Sequence, residues 1–367
     1  MIKDIHIQEF DEGTNVKLQI FQNYLQEWIP VFIARKKIIW NTINIFDFFA
    51  GTGSDIKGAY GTPLIIKLEL APYFENIIFK KLNVNLIFNE FNKKKFRILN
   101  KKVFPGDRDQ HPYSITLESL GFKDAFEKYY AQMQNPDAAN LLLLDQYGIK
   151  HITDDIFNRI IALKTTDFLF FISSSTIKRF STSPSISKYI DIPTDELIKT
   201  TYHNIHRMVI DYYRSMIPQN KDYFLAPFSI KKGSNIYGLI FGSGNLFGIE
   251  KFLKTCWKSD KERGEANFDI DQDKIIPGQL DLFTGDTRKP KKLEHFENEI
   301  EKKILSCEIK TNKEVYIFTL INGFIPKHAN KVIKKLKEEN KIRNRSLEIS
   351  YRTTKNNSNI STINFTQ

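Results

Sequence analysis

Residues Ile43 to Gly53 have the sequence INIFDFFAGTG, an apolar run that is interrupted by the carboxylate of Asp47. The run is followed by Gly51 and Gly53, one on each side of Thr52. Such a run of β-branched and aromatic residues, too short for a helix, predicts a buried strand. Glycines after a strand allow a tight turn and a close approach of the backbone to a ligand. Ligands of open α/β sheets bind at the carboxyl ends of the strands. The stretch therefore predicts the first strand and the ligand-binding loop of an α/β domain.

The composition is typical of a folded protein with room for two domains. The chain has 367 residues, of which 41% are hydrophobic and 26% charged, which argues against wholesale disorder and collagen-like structure. No apolar run is long enough to cross a bilayer, so we expect a cytoplasmic protein. Cys256 and Cys307 are too few for a disulfide framework or a cysteine-based zinc site. His203 and His206 lack a third well-spaced ligand, so no metal site is predicted.

The net charge of +11 is concentrated at one end of the chain. From Arg288 onward there are 18 Lys and Arg against 9 Glu, which leaves only +2 for the remainder. This asymmetry favours a nucleic-acid-facing C-terminal domain. The alternative is a solvated, lysine-rich surface without a partner.

Strands and helices alternate along the first part of the chain, which predicts a mostly parallel sheet covered by helices. An apolar pattern with helical spacing predicts a lead-in helix over Val16–Arg35. Thr62-Pro63 begins a helix that we expect to reach Lys81. Further expected elements are strands at 84–90, 141–144 and 168–172, a polar loop at 173–183, a long helix at 194–216, and an antiparallel hairpin of 223–230 with 236–241.

The predicted domains are residues 1–276, a linker of 277–292, and a basic domain of 293–367. In the last, helices at 294–306 and 327–340 flank Glu314–Pro326, and Ser346–Arg352 is a candidate closing strand, an arrangement that resembles a winged helix. A winged helix can also dock proteins. The candidate nucleic-acid-binding residues are those of the polar loop and the second helix: Lys178, Arg179, Lys327, Lys331, Lys334 and Lys335.

The glycine loop suits a nucleoside without phosphates. No Gly-x-x-x-x-Gly-Lys-Ser/Thr run occurs, so a nucleoside-triphosphate loop is excluded. In a dinucleotide-binding fold the helix begins at the glycines and its N-terminus contacts pyrophosphate. Here the helix begins only at Pro63. Carboxylates at Asp47, Glu90 and Asp107 recur at or near strand ends. They are either ligand-binding groups or helix caps.

The chain resembles the three-Cys-motif partner proteins, a family of class I, S-adenosylmethionine-dependent methyltransferase-like proteins with a Rossmann-like sheet closed by an antiparallel hairpin. The resemblance spans most of the chain and is carried by short motifs, at 46–53, 61–64, 144–148, 242–243, 248–252 and 257–258. It implies S-adenosylmethionine as cofactor and a three-Cys-motif protein as partner. Gln146 stands where the family pattern leads us to expect proline.

The resemblance to methyltransferases also implies roles for single residues. Glu90 would accept hydrogen bonds from the ribose hydroxyls, Asp47 would hold the loop or the methionine part, and Asp107 would contact adenine. The loop itself would contribute Phe49, Ala50, Gly51, Thr52 and Gly53.

Asp145-Gln146-Tyr147 corresponds to the Asp-Pro-Pro-Tyr motif of amino-methyltransferases, in which the acid orients the target amine and the ring stacks on a flipped base. The alternative is a helix-capping Asp145 beside a packed Tyr147.

Gln279-Leu280-Asp281-Leu282-Phe283 resembles the pentapeptide by which bacterial replication and repair proteins bind the sliding clamp. Pro277-Gly278 before it and Thr284-Gly285-Asp286 after it provide an accessible setting. The alternative is that its apolar side chains pin the linker to the protein's own surface.

Two functions remain open at this point. The first is a methyltransferase that acts on DNA or RNA in DNA modification, repair or phage defence. The second is a non-catalytic adaptor with a degenerate methyltransferase fold that recruits a partner enzyme to DNA or to the clamp. A nuclease is a weaker option, because strand-end acids can bind Mg²⁺ but no accompanying lysine pattern is evident.

Overall fold

A computed structural model describes residues 9–104, 111–146, 150–183, 189–274, 280, 289–355 and 359–366. The described chain forms two compact units, Met1–Gly244 and Asn245–Gln367. This division lies N-terminal to the predicted one at residue 276. Helix Leu246–Ser259, expected in the first domain, belongs to the second unit, where Glu250 accepts a 2.7 Å hydrogen bond from the Tyr316 hydroxyl.

The first unit is built on a sheet in which seven strands are described, in the order β3-β2-β1-β4-β5-β7-β6. β1 to β5 are parallel, and β7 pairs antiparallel with both β5 and β6. The strands are β1 (Thr42–Asp47), β2 (Asn83–Asn89), β3 (Ser114–Glu118), β4 (Ala138–Leu144), β5 (Thr166–Ile172), β6 (Phe224–Lys232) and β7 (Asn235–Ser243). The predicted parallel sheet with a closing hairpin is confirmed, and β3 is an additional strand that sequence patterns did not reveal.

The helices of this unit cover both faces of the sheet. They are α1 (Glu12–Ile33), α2 (Thr62–Leu70), α3 (Phe74–Lys80), α4 (Lys93–Val103), α5 (Phe122–Met133), α6 (Asp154–Ala162), α7 (Ser174–Arg179), α8 (Thr194–Lys199) and α9 (Ile205–Ser215). One face packs Phe46, Phe126, Phe157, Phe170 and Tyr213 into a core beneath α5, α6 and α9. On the other face lies α1, where the Tyr24 ring centroid is 4.7 Å from that of Phe241.

Helix α1 is also fixed to the sheet by polar contacts. The carboxylate of Asp167 accepts hydrogen bonds of 3.0 Å from both the Tyr24 hydroxyl and the Trp28 indole N–H. Tyr24 and Trp28 lie one helical turn apart, so a single acceptor on β5 holds two successive turns of α1. The predicted lead-in helix is thereby confirmed as a packed part of the domain.

Three predicted elements differ from the structure. The helix expected over 62–81 is broken by a 3₁₀ turn at Ala71–Tyr73, because Pro72 lacks an N–H to continue the ladder. The polar loop at 173–183 contains α7, capped by the Ser173 side chain on the Thr176 N–H. The long helix expected over 194–216 is two helices, α8 and α9, separated by a 3₁₀ turn at Tyr202–Asn204.

A row of hydrogen-bonded side chains crosses the sheet at the same level of five strands. Ser114 donates to Asn85 (2.7 Å), Asn85 donates to Asn44 (2.9 Å), Asn44 donates to Asn140 (2.9 Å) and Asn140 donates to Thr166 (3.0 Å). These residues are register partners on neighbouring strands. Because a buried amide without a partner is costly, a shift of any one strand by one residue would break the row.

The second unit contains α10 (Leu246–Ser259), α11 (Lys291–Leu305), α12 (Asn312–Ile321), α13 (Pro326–Glu338) and the short α14 (Tyr351–Thr354). Gly323, with φ of 78°, lies in the short turn between α12 and α13, as in a helix-turn-helix. The Trp257 indole N–H donates to the Gly323 carbonyl (2.9 Å), and the Phe324 ring stacks on Phe296 at 3.9 Å.

The predicted closing strand at 346–352 is wrong. Ser350 instead caps α14, and residues near the C-terminus pair with the chain before α12 and after α13. Thr362 forms an antiparallel bridge with Thr311, and Phe365 forms one with Ile342. Among the described residues, none of the helices has the length and apolar character needed to cross a membrane.

We predict that Asn44→Ala lowers the free energy of unfolding by about 3 kcal/mol, because it leaves the amides of Asn85, Gln132 and Asn140 without their partner. Urea unfolding followed by circular dichroism measures this change. Asn100→Ala, at an exposed position of α4, is the matched control and should change stability by no more than about 0.5 kcal/mol. Equal stabilities of the two variants would contradict the proposed role of the row.

Candidate functional site at the carboxyl edge of the sheet

The turn after β1 is a close-packed loop that depends on glycine. Gly51 and Gly53 have φ of 62° and 79°, in the left-handed region that other residues rarely adopt. A Cβ at Gly53 would lie 3.1 Å from the Leu99 side chain, and the Gly53 carbonyl accepts a 2.8 Å bond from the Gly61 N–H. The loop therefore folds back onto the start of α2 and the middle of α4.

Glu90 connects the end of β2 to this loop. One carboxylate oxygen accepts the Gly51 N–H (3.0 Å) and the other accepts the Asn92 N–H (2.7 Å). Glu90 is partly exposed, and a carboxylate has about four acceptor positions. The two remaining positions are available to a ligand, so Glu90 can shape the loop and receive hydroxyl groups at the same time.

Asp47 is buried at the end of β1, with 1% of its surface exposed. It accepts the Phe49 N–H (3.1 Å) and a short hydrogen bond from the Thr62 hydroxyl. Burial raises the pKa of Asp47 to about 7, and the nearby carboxylate of Asp145 adds to the rise while Lys17 opposes it. This side chain is therefore poised to change its charge near neutral pH.

Asp145, at the end of β4, forms an ion pair with Lys17 of α1. The Lys17 ammonium also lies 4.8 Å from the centre of the Phe171 ring, and its side chain is only 17% exposed. Lys17 and Asp145 line a narrow cleft together with Asp47 and Thr62. α1 thus contributes a cation to the edge of the sheet where the carboxylates meet.

Of the other predicted site residues Gln146, Tyr147 and Asp107, only Gln146 is among the described residues. Gln146 is buried and turned inward, where its amide oxygen accepts the N–H groups of His151 (2.9 Å) and Ile152 (3.3 Å). These bonds give Gln146 a role in holding the loop before α6. Tyr147 and Asp107 lie outside the described residues.

Three residues of this edge were not found from the sequence. Lys17 belongs to the predicted lead-in helix, and no local pattern connects it with Asp145. Phe91, next to Glu90, exposes 73% of its surface, which is unusual for an aromatic ring beside a strand end. Ser119 follows β3, and its buried hydroxyl has no hydrogen-bond partner among the residues that the structure describes. In the sequence, a Phe directly after the strand-end acid Glu90 was the signal that could have pointed to this edge.

Two of the predicted nucleic-acid-binding residues are engaged within the first unit. The Lys178 ammonium donates to the carbonyls of Leu197 and Ile198, the latter at 2.6 Å. The Arg179 guanidinium donates to the Asn235 side chain at 3.1 Å. These bonds hold α7 against its neighbours, so contact with a polyanion would compete with them.

The lysines of α13 divide into two groups. Lys331 and Lys335 form ion pairs with Glu297 (3.4 Å) and Glu301 (2.7 Å) of α11, so part of their charge is neutralised within the domain. Lys334 is 76% exposed and its ion pair with Glu338 is long, at 3.7 Å.

Lys327, at the start of α13, lies 5.7 Å from the centre of the Trp257 ring. Lys327 and Lys334 are therefore the less neutralised cations of the predicted set.

The linker peptide is almost entirely outside the described residues. Gln279, Asp281, Leu282 and Phe283 belong to that part, and Leu280 is described and 58% exposed.

These observations define the class of the fold. A parallel sheet closed by an antiparallel hairpin, with a glycine turn after the first strand, is the class I methyltransferase fold that the sequence resemblance predicted, and it is joined here to a C-terminal winged helix-turn-helix. Residues 268–347 match the family model described as a GMT-like wHTH domain. A search of curated protein sequences gave no match.

Several solved structures that are similar to this chain at low identity are methyltransferases. Trm1 from Pyrococcus horikoshii in complex with S-adenosyl-L-methionine has a TM-score of 0.37 and 10% identity, with 69% of this chain and 62% of that chain covered. A SAM-dependent methyltransferase from Agrobacterium tumefaciens has a TM-score of 0.34 and 7% identity, with coverage of 62% and 61%. The METTL16 methyltransferase domain has a TM-score of 0.32 and 10% identity, with coverage of 62% and 68%. The chain thus spans about three fifths of the length of the first two.

We predict that the wild-type protein loses stability relative to Asp47→Asn as the pH rises from about 4 to about 7. The folded-state pKa of Asp47 lies above its usual value, so in this window the folded state binds more protons than the unfolded state, and the free energy of unfolding falls with pH. Asparagine does not ionise and lacks this dependence. We expect the difference between the two proteins to change by about 2 kcal/mol, measured by urea unfolding at pH 5 and pH 8.

Asp137→Asn, at an exposed position before β4, is the control and should follow the wild type at both pH values. Parallel pH profiles of the wild type and Asp47→Asn would show that Asp47 ionises normally in the folded protein.

Proposed function

We propose that this protein is an S-adenosylmethionine-dependent methyltransferase that acts on nucleic acid. The observation that carries the proposal is the group of carboxylates, Asp47, Glu90 and Asp145, which surround the glycine turn at one edge of the sheet. Phosphate groups would be repelled at such an edge. A nucleoside that carries a sulfonium and an ammonium group suits it, because both positive charges are attracted to the carboxylates.

The residues present fit this cofactor part by part. The free acceptor positions of Glu90 suit the two ribose hydroxyls, and the exposed face of Phe91 can stack on a purine. Ser119 offers to the polar edge of the base a buried hydroxyl that has no hydrogen-bond partner among the described residues. Asp47, when ionised, would attract the ammonium group of the methionine part. When bound, the cofactor supplies an electrophilic methyl group on sulfur.

Asp145 is the proposed orienting group for the methyl acceptor. A carboxylate at the end of β4 can accept a hydrogen bond from a target amine and direct its lone pair toward the methyl group. In the structure this carboxylate is paired with Lys17, so the acceptor must share or displace that ion pair. Tyr147 is proposed to stack on the target base, as the Asp-Pro-Pro-Tyr resemblance implies.

The winged helix-turn-helix supports nucleic acid as the substrate class. α13 follows the turn at Gly323 and therefore has the position of a recognition helix, with the cations of Lys327 and Lys334 on its surface. A DNA modification, repair or phage-defence role, membership of the three-Cys-motif partner family and a three-Cys-motif partner protein follow from the sequence resemblance. Binding of the sliding clamp through residues 279–283 is part of the same proposal, and the exposure of Leu280 is compatible with it.

A non-catalytic adaptor is the second candidate, and one observation favours it. The cleft beside Asp145 is narrow and is lined by Lys17 and by apolar side chains of α1, and Gln146 replaces the expected proline and faces inward. An adaptor would keep this narrow cleft and use the second unit for recruitment.

We predict that the purified protein binds S-adenosylmethionine and that Glu90→Ala raises the dissociation constant by about 10- to 100-fold. The substitution removes two charge-assisted hydrogen bonds to the ribose and the bond that shapes Gly51. Isothermal titration calorimetry measures the affinity. Glu75→Ala removes an exposed carboxylate of the same unit and should bind like the wild type. If the wild-type protein does not bind S-adenosylmethionine, the cofactor assignment is wrong.

We predict that Asp145→Ala lowers the rate of methyl transfer to nucleic acid by at least about 100-fold, because the acceptor loses its orienting group. Transfer of labelled methyl groups from S-adenosylmethionine to mixed DNA and RNA measures the rate. The affinity for the cofactor, measured in the same preparations, should fall much less than the rate, because Asp47 and Glu90 remain. A wild-type protein that binds the cofactor but transfers no label would favour the adaptor, and undiminished transfer by Asp145→Ala would remove the role of Asp145.

A further inference from the structure

Helix α4 has an exposed cationic face that nothing in the proposed chemistry uses. Lys93, Lys94, Arg97 and Lys101 are all exposed, and none of them forms an ion pair with another residue in the part of the chain that the structure describes. The lysines of α13 differ in this respect, because two of them are paired with carboxylates of α11.

The positions of the charges on α4 destabilise the helix. Lys93 and Arg97, and again Arg97 and Lys101, are four residues apart, so like charges repel on adjacent turns. The first turn contains Lys93 and Lys94 and no acidic residue, although the N-terminus of a helix favours negative charge. A surface selected only for solubility would not need this arrangement, and an anionic partner removes the penalty.

Apolar side chains lie among these cations. Ile98 and Phe104 expose 44% and 40% of their surface. At 100° per residue, Ile98 projects from the same side of α4 as Lys94 and Lys101, and Phe104 follows the last turn of the helix. Cations interleaved with aromatic and apolar groups are typical of surfaces that follow a nucleic-acid strand.

The helix also has the right place in the fold. It begins directly after Glu90, and its side chains support the glycine loop: Leu99 lies beneath Gly53, and the Lys102 ammonium donates to the Ser54 carbonyl at 3.1 Å. The first turn of α4, with Lys93 and Lys94, is therefore at the carboxyl edge of the sheet, where the target must approach.

We propose that the exposed face of α4 binds the phosphate backbone of the nucleic acid that enters the site. This inference rests on the proposed function, because it assumes a nucleic-acid substrate, and it assigns a second contact surface that belongs to the first unit itself. The contact is made by point charges and is independent of base sequence.

The test compares two triple variants with the same loss of charge. Lys93→Gln, Arg97→Gln and Lys101→Gln together remove three of the four charges of the cationic face. Lys36→Gln, Lys37→Gln and Lys164→Gln together form the control, because these exposed lysines precede β1 and β5 at the opposite edge of the sheet. The probes are fluorescein-labelled single-stranded RNA, single-stranded DNA and duplex DNA, followed by anisotropy from about 50 to 200 mM NaCl.

We expect the α4 variant to bind at least one probe about tenfold more weakly than the control at about 100 mM salt. The slope of log Kd against log salt concentration should fall by about two, because up to three phosphate contacts are lost. Its melting temperature should equal or exceed that of the wild type, since like-charge repulsion is relieved, and its affinity for S-adenosylmethionine should be unchanged. Loss of nucleic-acid affinity without loss of stability would show that this face of α4 binds nucleic acid and is not needed for folding.

Two results would overturn the inference in different ways. If the wild type binds the probes and the two triple variants have equal affinities and slopes, α4 does not contact nucleic acid, and an acidic protein surface becomes its better occupant. If the wild type binds S-adenosylmethionine but none of the probes, the nucleic-acid substrate of the proposed function fails, and the inference fails with it.

Discussion

The row of side-chain amides that crosses the sheet is the constraint on which the site depends. Asn44, on the interior strand β1, is hydrogen-bonded to both neighbouring strands, and the row continues to β3 and β5. An unpaired buried amide is unfavourable, so this row allows one register of the strands. In that register Asp47, Glu90 and Asp145 end their strands at the same edge, and the site exists because these ends coincide.

The cost of this arrangement is electrostatic. Asp47 is buried near the carboxylate of Asp145, and its pKa rises to about 7 for that reason. Lys17 of α1 partly balances the negative charge, and α1 in turn is held in place by Asp167 through Tyr24 and Trp28. The repulsion along α4 is a second case in the same unit. Both departures from stability lie at the carboxyl edge, which is where ligands of α/β sheets bind.

The second unit shows how a helix-turn-helix is fixed by a few aromatic contacts. Trp257 holds the carbonyl of Gly323 in the turn, and Phe324 stacks on Phe296 of α11. Burial lowers the pKa of His328 to about 3, so this side chain is neutral, and its Nδ1 accepts the Ile325 N–H at the start of α13. The turn before α13 therefore depends on neutral contacts, and Lys327 and Lys334 are the less neutralised cations that it presents.

The sequence by itself determined the alternation of strands and helices, the glycine turn, the closing hairpin and the basic C-terminal domain, because each of these leaves a local pattern of periodicity, glycine or charge. It did not reveal β3, whose five residues are only half covered, and it placed strand character at 346–352, whereas the bridges of this region join residues 362 and 365 to Thr311 and Ile342. Only the tertiary structure decided that Lys17 meets Asp145 and that Gln146 faces inward. The same holds for the α13 lysines, two of which are neutralised by α11, whereas Lys93, Lys94 and Lys101 of α4 form no ion pair within the described part of the chain. These are contacts between residues far apart in the chain, and local sequence carries no record of which side chains will meet across a fold.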